Sequence, residues 1–173
     1  MNSIIQAIVN LLSGKVHYTL IVAIVSLIPL LELRGSIIAA GLLQAIENNI
    51  LNVSFLPTYI AAVIGNMLPI PFILIFIKKI FEWMKTTKHL RRFPEKLEEK
   101  AMKKSDQIEK YGYWGLMLFV AIPLPGTGAW TGSLIAVLLG LKPAKSLLFI
   151  LFGVMIAGLI MSLLAFGILG KLI

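Results

Sequence analysis

Ile28-Pro29-Leu30-Leu31-Glu32-Leu33-Arg34-Gly35-Ser36 is the stretch that decides how this chain folds. It sets a proline, a glycine and two opposite charges between two apolar runs, 18–28 and 36–46, of 11 residues each. A helix rises about 1.5 Å per residue, so crossing roughly 30 Å of hydrocarbon takes about 20 residues. Neither run reaches that length. Two half-helices joined by such a break fit a re-entrant hairpin, because irregular backbone at membrane depth must be buried in protein or face a wet cavity. One kinked span over 18–46 is the competing reading.

Composition supports a membrane setting. Of 173 residues, 58% are hydrophobic and 14% charged, and the mean hydropathy is +0.93. Soluble domains have about 45–50% apolar and about 25% charged residues. A water-soluble globule, a disordered chain and a basic nucleic-acid-binding surface are excluded on that ground, and the length allows one domain. The net charge of +8 is uneven: 11 of 16 basic residues lie within 78–110, beside 6 acidic ones. Without cysteine there is no disulfide or thiol chemistry. His17 and His89 stand alone, so no metal cluster or cofactor site is expected. The N-terminus lacks the marks of a signal peptide. Residues 1–13, with Ile4, Ile5, Ile8, Val9, Leu11 and Leu12 on one side, read as a helix lying in the membrane interface.

Further along, 56–77 is 22 residues without a charge, a full span that Pro69 and Pro71 should kink. The belt 78–110 reads as a surface helix with Pro94 at its first position. A second short run, 113–122, ends at Pro123. The break Leu124-Pro125-Gly126-Thr127-Gly128-Ala129-Trp130-Thr131-Gly132 follows, then the short run 133–141. A second full span, 146–170, is again free of charge.

The two halves read alike. Ile28-Pro29-Leu30 matches Ile122-Pro123-Leu124, and Gly35-Ser36 matches Gly132-Ser133. Pro57 and Pro143 open the spans, and Gly65-Asn66-Met67 corresponds to Gly153-Val154-Met155. The expected fold is therefore an all-α integral membrane domain built as an inverted repeat. Each half is an interfacial helix, a re-entrant hairpin and one transmembrane helix, with repeat 1 over 1–77, a basic linker over 78–112 and repeat 2 over 113–173. One span per half turns the halves upside down to one another, as in transporters with interrupted helices at matching places. Placing the belt in the cytoplasm of a plasma-membrane protein puts 13 of 16 basic residues inside, and leaves the Asn-rich loop 47–55 outside without a basic residue. Two spans and two hairpins are few to enclose a path. A homodimer is expected, with Gly153–Ala157 and Gly158–Ser162 as small-residue packing faces.

Glu32 and Arg34 are the only charges expected within the hydrocarbon, where each costs at least about 2.5–3.5 kcal/mol. Either they form a neutralising pair that fixes the bend, or Arg34, with Gly35 and Ser36, heads a half-helix whose free N–H groups attract anions. The second break offers glycine amides at Gly126, Gly128 and Gly132, hydroxyls at Thr127 and Thr131, the prolines Pro123 and Pro125, and Trp130 as a flat amphipathic surface. It also reads as a plain Gly/Pro turn with a packing tryptophan. Asn66 sits mid-span, as a helix-packing residue or part of a path. No nucleotide-binding motif and no nucleophile–base set is present, so a transporter rather than an enzyme is expected, driven by an ion or substrate gradient. Glu32 is the candidate proton carrier.

The order Glu-Leu-Arg-Gly-Ser (32–36), Gly-Asn-x-Leu-Pro-x-Pro-Phe (65–72) and Pro-Leu-Pro-Gly-Thr-Gly-Ala-Trp-Thr-Gly (123–132) resembles the "putative small multidrug export protein" family over roughly 17–170. That family is similar in turn to the DedA/SNARE-associated (VTT-domain) membrane proteins. The resemblance implies paired re-entrant hairpins and the movement of an anionic, phosphate-bearing lipid between leaflets, with Glu32 and Arg34 as the hairpin acid and arginine. This chain departs from that pattern in having no arginine in its second hairpin. The bilayer and a small-molecule or lipid substrate are then its partners, with no nucleic acid. A lipophilic-cation exporter and a non-transporting scaffold are the alternatives. A lipid phosphatase, suggested faintly by Pro-Gly-Thr at 125–127, lacks the residues for the work.

Overall fold

The computed structural model describes residues 17–29, 31–46, 54–86, 91–124 and 126–169. The expected interfacial helix over 1–13, most of the loop 47–55, and Pro125 lie outside the described residues. Among those described the chain is helical throughout, with no strand. The helices are α1 (Tyr18–Leu27), α2 (Glu32–Ile46), α3 (Phe55–Met67), α4 (Ile70–Thr86), α5 (Arg92–Met102), α6 (Asp106–Ala121), α7 (Ala129–Leu138) and α8 (Pro143–Leu169).

Proline sets the stops. Pro29 has no N–H to return to the Val25 carbonyl, and the Ile28 N–H takes that oxygen at 3.2 Å instead, ending α1. Pro69 and Pro71 divide the first long apolar segment into α3 and α4 across Leu68 and Pro69. Pro143 opens α8, where its missing donor costs nothing. Pro94 is the third residue of α5 rather than the first, and is tolerated there because the first four N–H groups of a helix have no internal partner.

Three boundaries differ from the sequence reading. Helix α4 does not end at Lys78 but runs on to Thr86, since charges on a water-facing side leave its backbone bonds intact. Helix α2 begins at Glu32 and α7 at Ala129, so half of each expected break is the first turn of a helix. The belt is shared among the end of α4, α5 and the start of α6, which bends at Gly112 (φ 58°, ψ −131°).

Among the described residues, two segments are long and apolar enough to cross a membrane: Phe55–Thr86, mean hydropathy 2.4, and Pro143–Ala165, mean hydropathy 2.8. Only a third of each is buried. Leu56, Ile60 and Ile64 of α3 are exposed, as are Phe72, Phe76, Ile80 and Trp83 of α4 and Phe152, Ile156, Leu159 and Leu163 of α8. A soluble protein would hide such stripes, so this surface is consistent with one that faces lipid.

The chain packs as two compact units. The first comprises residues 1–68 and 154–173, with a core of Ile21, Val22 and Val25 from α1 and Leu33 and Ile37 from α2. Gly65 of α3 lies so close to the Ala23 carbonyl that a Cβ there would sit 2.3 Å from the oxygen. The Ser26 hydroxyl donates to the Ala62 carbonyl at 2.7 Å. The second unit, residues 69–153, is centred on Ile70, Ile73, Leu116 and Ile135, with α7 packed against α4, α5 and α6.

Candidate functional site

Among its described residues, the first unit carries Glu32 and Arg34 at the turn between α1 and α2 and in the first turn of α2. His17 caps α1, its ring nitrogen accepting from the Thr19 N–H at 3.4 Å. After Pro29 the chain re-enters a helix: the N–H groups of Leu31 and Glu32 both donate to the Ile28 carbonyl, at 3.1 and 2.9 Å. Glu32 takes φ 48°, a left-handed conformation that side chains rarely adopt. It is 5% exposed, at the first position of α2, where the N–H groups of the first turn favour a carboxylate. Arg34 Nη2 lies 3.7 Å from Glu32 Oε2. The arginine side chain is 21% exposed and the glutamate 6%, so the guanidinium is the member nearer the surface.

Gly35 and Ser36 both have packing or hydrogen-bond partners close by in the chain. A Cβ on Gly35 would meet Leu31 Cβ at 2.6 Å, and the Ser36 hydroxyl donates to the Leu33 carbonyl at 2.9 Å. In the same unit, Asn66 is 2% exposed and its Oδ1 has no hydrogen-bond partner among the described residues, a costly state for a buried acceptor. Tyr59 donates its hydroxyl to the Met155 carbonyl at 3.0 Å and packs its ring on Gly158.

In the second unit, the break between α6 and α7 is organised differently from the sequence expectation. The Thr127 hydroxyl, a candidate donor to a phosphate, is directed at the carbonyls of Ile122 and Leu124, at 2.7 and 2.8 Å. It closes the turn that follows α6, bonding the cap residue Ile122 and Leu124 just beyond it. Gly126 (φ 79°) and Gly128 (φ 140°) supply left-handed turns that carry the chain into α7. Gly132 is a packing glycine: a Cβ there would meet Val120 at 2.8 Å. Trp130 and Thr131 are half-buried in the first turn of α7, with Trp130 Nε1 inside the protein. Lys104, which sequence reasoning passed over as one more belt charge, reaches across 22 residues to donate to the Gly126 carbonyl at 3.0 Å. No local pattern marks that contact.

The small-residue faces of α8 are occupied within the chain. Gly153 lies against the Met117 carbonyl and Val120, and Gly158 against Tyr59 and Leu33. They therefore do not supply a dimer surface.

Among the described residues of the first unit, the groups able to bind a polar substrate include the ion pair of buried Glu32 with partly exposed Arg34, the buried Asn66 Oδ1 and the buried Ser162 hydroxyl. In the comparison with protein families, the model described as "Putative small multi-drug export protein" matches residues 32–160, from Glu32 into the second long span. The searches of curated proteins and of solved structures each returned no match. Three quarters of the chain, including all three motifs and both charges of the α1–α2 turn, is covered, and the chain belongs to the family described as "Putative small multi-drug export protein".

Proposed function

We propose that this membrane protein exports small amphipathic organic cations and that Glu32 is the group they engage. The observation that carries the reading is the buried Glu32–Arg34 pair at the head of α2. A buried carboxylate needs a counter-charge, and Arg34 supplies it in the resting protein. At 3.7 Å the pair is longer than the roughly 2.7–2.9 Å of a charge-assisted hydrogen bond. A substrate ammonium can therefore replace the guanidinium at Glu32, and a proton arriving on the carboxylate releases it. Asn66 Oδ1 adds a buried acceptor for an N–H group. In proteoliposomes, protons entering down their gradient should drive a lipophilic cation out, and Glu32→Gln should abolish both the flux and its pH dependence. Unchanged flux in that variant sinks the reading.

A second reading is favoured by the greater exposure of Arg34. Here Arg34 is the ligand, gripping a phosphate-bearing lipid bidentately while Glu32 restrains it in the empty state. Arg34→Lys should then keep the fold and lose roughly 10–150-fold in substrate affinity, the worth of a charge-assisted contact. Parallel flux assays with a lipid phosphate and a lipophilic cation separate the two. If Glu32→Gln/Arg34→Gln folds and transports either at the wild-type rate, the pair is a structural brace and both readings fail.

The arrangement that goes with either is an inverted repeat of two re-entrant hairpins and two spans, in the plasma membrane, with the belt 78–112 cytoplasmic. It is supported by the matching Pro, Gly-Ser and Gly-x-Met markers and by the clustering of basic residues. Assembly as a homodimer is part of the same proposal, since so few helices enclose little volume.

A further inference from the structure

We infer that the end of α3, at Asn66, binds an alkali-metal cation. Asn66 stands in the last turn of α3 and is 2% exposed, and its Oδ1 has no hydrogen-bond partner among the described residues. A buried acceptor in that state has given up water and gained nothing in exchange. A bound cation or an ordered water satisfies it, and the groups around it decide between the two.

Those groups are oxygens that have lost their donors. In a continuous helix the carbonyls of Gly65 and Met67 receive the N–H groups of residues 69 and 71, but both are proline and have none. The Leu68 N–H goes to the Ile64 carbonyl, at 3.0 Å. Helix α1 adds to the set. The Ser54 N–H donates to the Tyr18 hydroxyl at 3.4 Å and the Ser26 hydroxyl to the Ala62 carbonyl at 2.7 Å, 36 residues apart in both cases, so α1 and α3 run parallel. On that offset α1 stops about one turn before Asn66, and the carbonyls at its end point along the axis toward that level. The Leu27 carbonyl is among them, since the Leu31 N–H that a continuous helix would bring to it donates to Ile28 instead, at 3.1 Å. Two helix ends, each carrying roughly half a negative elementary charge, and an unpartnered side-chain oxygen therefore converge on one level of the first unit.

A water has only two hydrogens to give and needs a donor for its own oxygen, which a set made of acceptors does not supply. A cation needs acceptors alone. Uncharged oxygens where an interrupted helix exposes its backbone suit a dehydrated monovalent ion. A divalent ion is ordinarily held by carboxylates, and no group of three His, Asp or Glu stands together among the described residues. The inference rests on Asn66 and the two helix ends, not on either transport reading. An ion seated there is what a substrate N–H has to displace.

The test is the melting temperature of the full chain, purified in detergent without sodium or potassium, as choline chloride is replaced stepwise by NaCl or KCl at constant ionic strength. Either salt, or both, should raise it saturably. Asn66→Leu keeps the branched shape without the acceptor, and should fold and lose the response. Pro69→Ala returns an N–H to the Gly65 carbonyl while favouring the helix, and should raise the half-saturating concentration about tenfold or more, as for a lost charge-assisted contact. The absence of a saturable response to both salts, as a buried water would give, overturns the inference, and so does an unchanged half-saturating concentration in Asn66→Leu. If Asn66→Leu does not fold, an unchanged value in Pro69→Ala overturns it instead. No flux is measured, so the result stands apart from the success or failure of the transport readings.

Discussion

Glu32 combines burial, charge and a left-handed backbone in one residue, and each of these costs stability. The left-handed conformation alone costs a non-glycine residue roughly 1–2 kcal/mol. Such strain persists where the surroundings over-determine it, which is common at functional sites. The two costs separate in a pair of variants that both remove the ion pair. Glu32→Gly/Arg34→Gln should be more stable than Glu32→Gln/Arg34→Gln by about 1 kcal/mol, because glycine adopts φ 48° without penalty. Denaturant titration in a mild detergent measures the difference; equal stabilities would mean that the backbone there is unstrained. Gly65→Ala tests the opposite sign. Its new methyl would sit 2.3 Å from a backbone oxygen of α1 that cannot move aside, so α1 and α3 must separate and the melting temperature must fall. The importance of Glu32 and Arg34 was legible in the sequence because a charge stands out in an apolar run. The local partners of Gly35 and Ser36, Leu31 and the Leu33 carbonyl, were not, since contacts within one turn leave no trace in hydropathy.

At the scale of elements, the stops were legible and the starts were not. Pro29 and Pro123 end α1 and α6 because a missing donor acts wherever it falls. The starts at Glu32 and Ala129 depend on backbone turns that charge and hydropathy do not encode, and α4 runs through Lys78 because a charge ends a hydrophobic stretch without ending a helix. Thr127 shows what this does to the candidate site. It holds two carbonyls in the turn that follows α6, so Thr127→Val should destabilise the protein by about 1–3 kcal/mol in the absence of any substrate, while Thr127→Ser should be close to neutral. Wild-type stability in Thr127→Val would return the hydroxyl to the pool of substrate ligands. The belt is held more weakly. The hydrogen bond from Lys103 keeps the Glu99 carboxyl below the usual carboxylate range, and its charge adds to the effect. Because the folded pKa is lowered, any stability it lends is present above the ordinary range and is lost as the pH falls through the lowered value. Lys103→Ala should bring the Glu99 titration, followed by carboxyl NMR, back up without a measurable change in melting temperature, since both side chains lie in water.

Over the whole molecule, the membrane class and the two long helices were legible from hydropathy alone, since lipid-facing surface must be apolar all along its length. The assignment of small residues was not, because a glycine stripe reads the same whether its partner is a second copy or, as at Gly153 and Gly158, another helix of the same chain. Topology is tested by cysteines placed at positions 17 and 44. A re-entrant hairpin has both labelled from the same side of sealed vesicles, and labelling from opposite sides would make 18–46 a kinked span and remove the inverted repeat. The division of the long helices also has a consequence in time. The first unit needs residues 154–173 as well as 1–68, whereas the second is continuous from 69 to 153. A ribosome adding about 5–20 residues per second takes roughly 4–17 s to pass from residue 68 to residue 153. For that interval the Glu32–Arg34 turn lacks Gly158 against Leu33, and Tyr59 lacks the Met155 carbonyl. The second unit can close first, and a nascent chain stalled before residue 154 holds the Glu32–Arg34 pair in an unfinished fold.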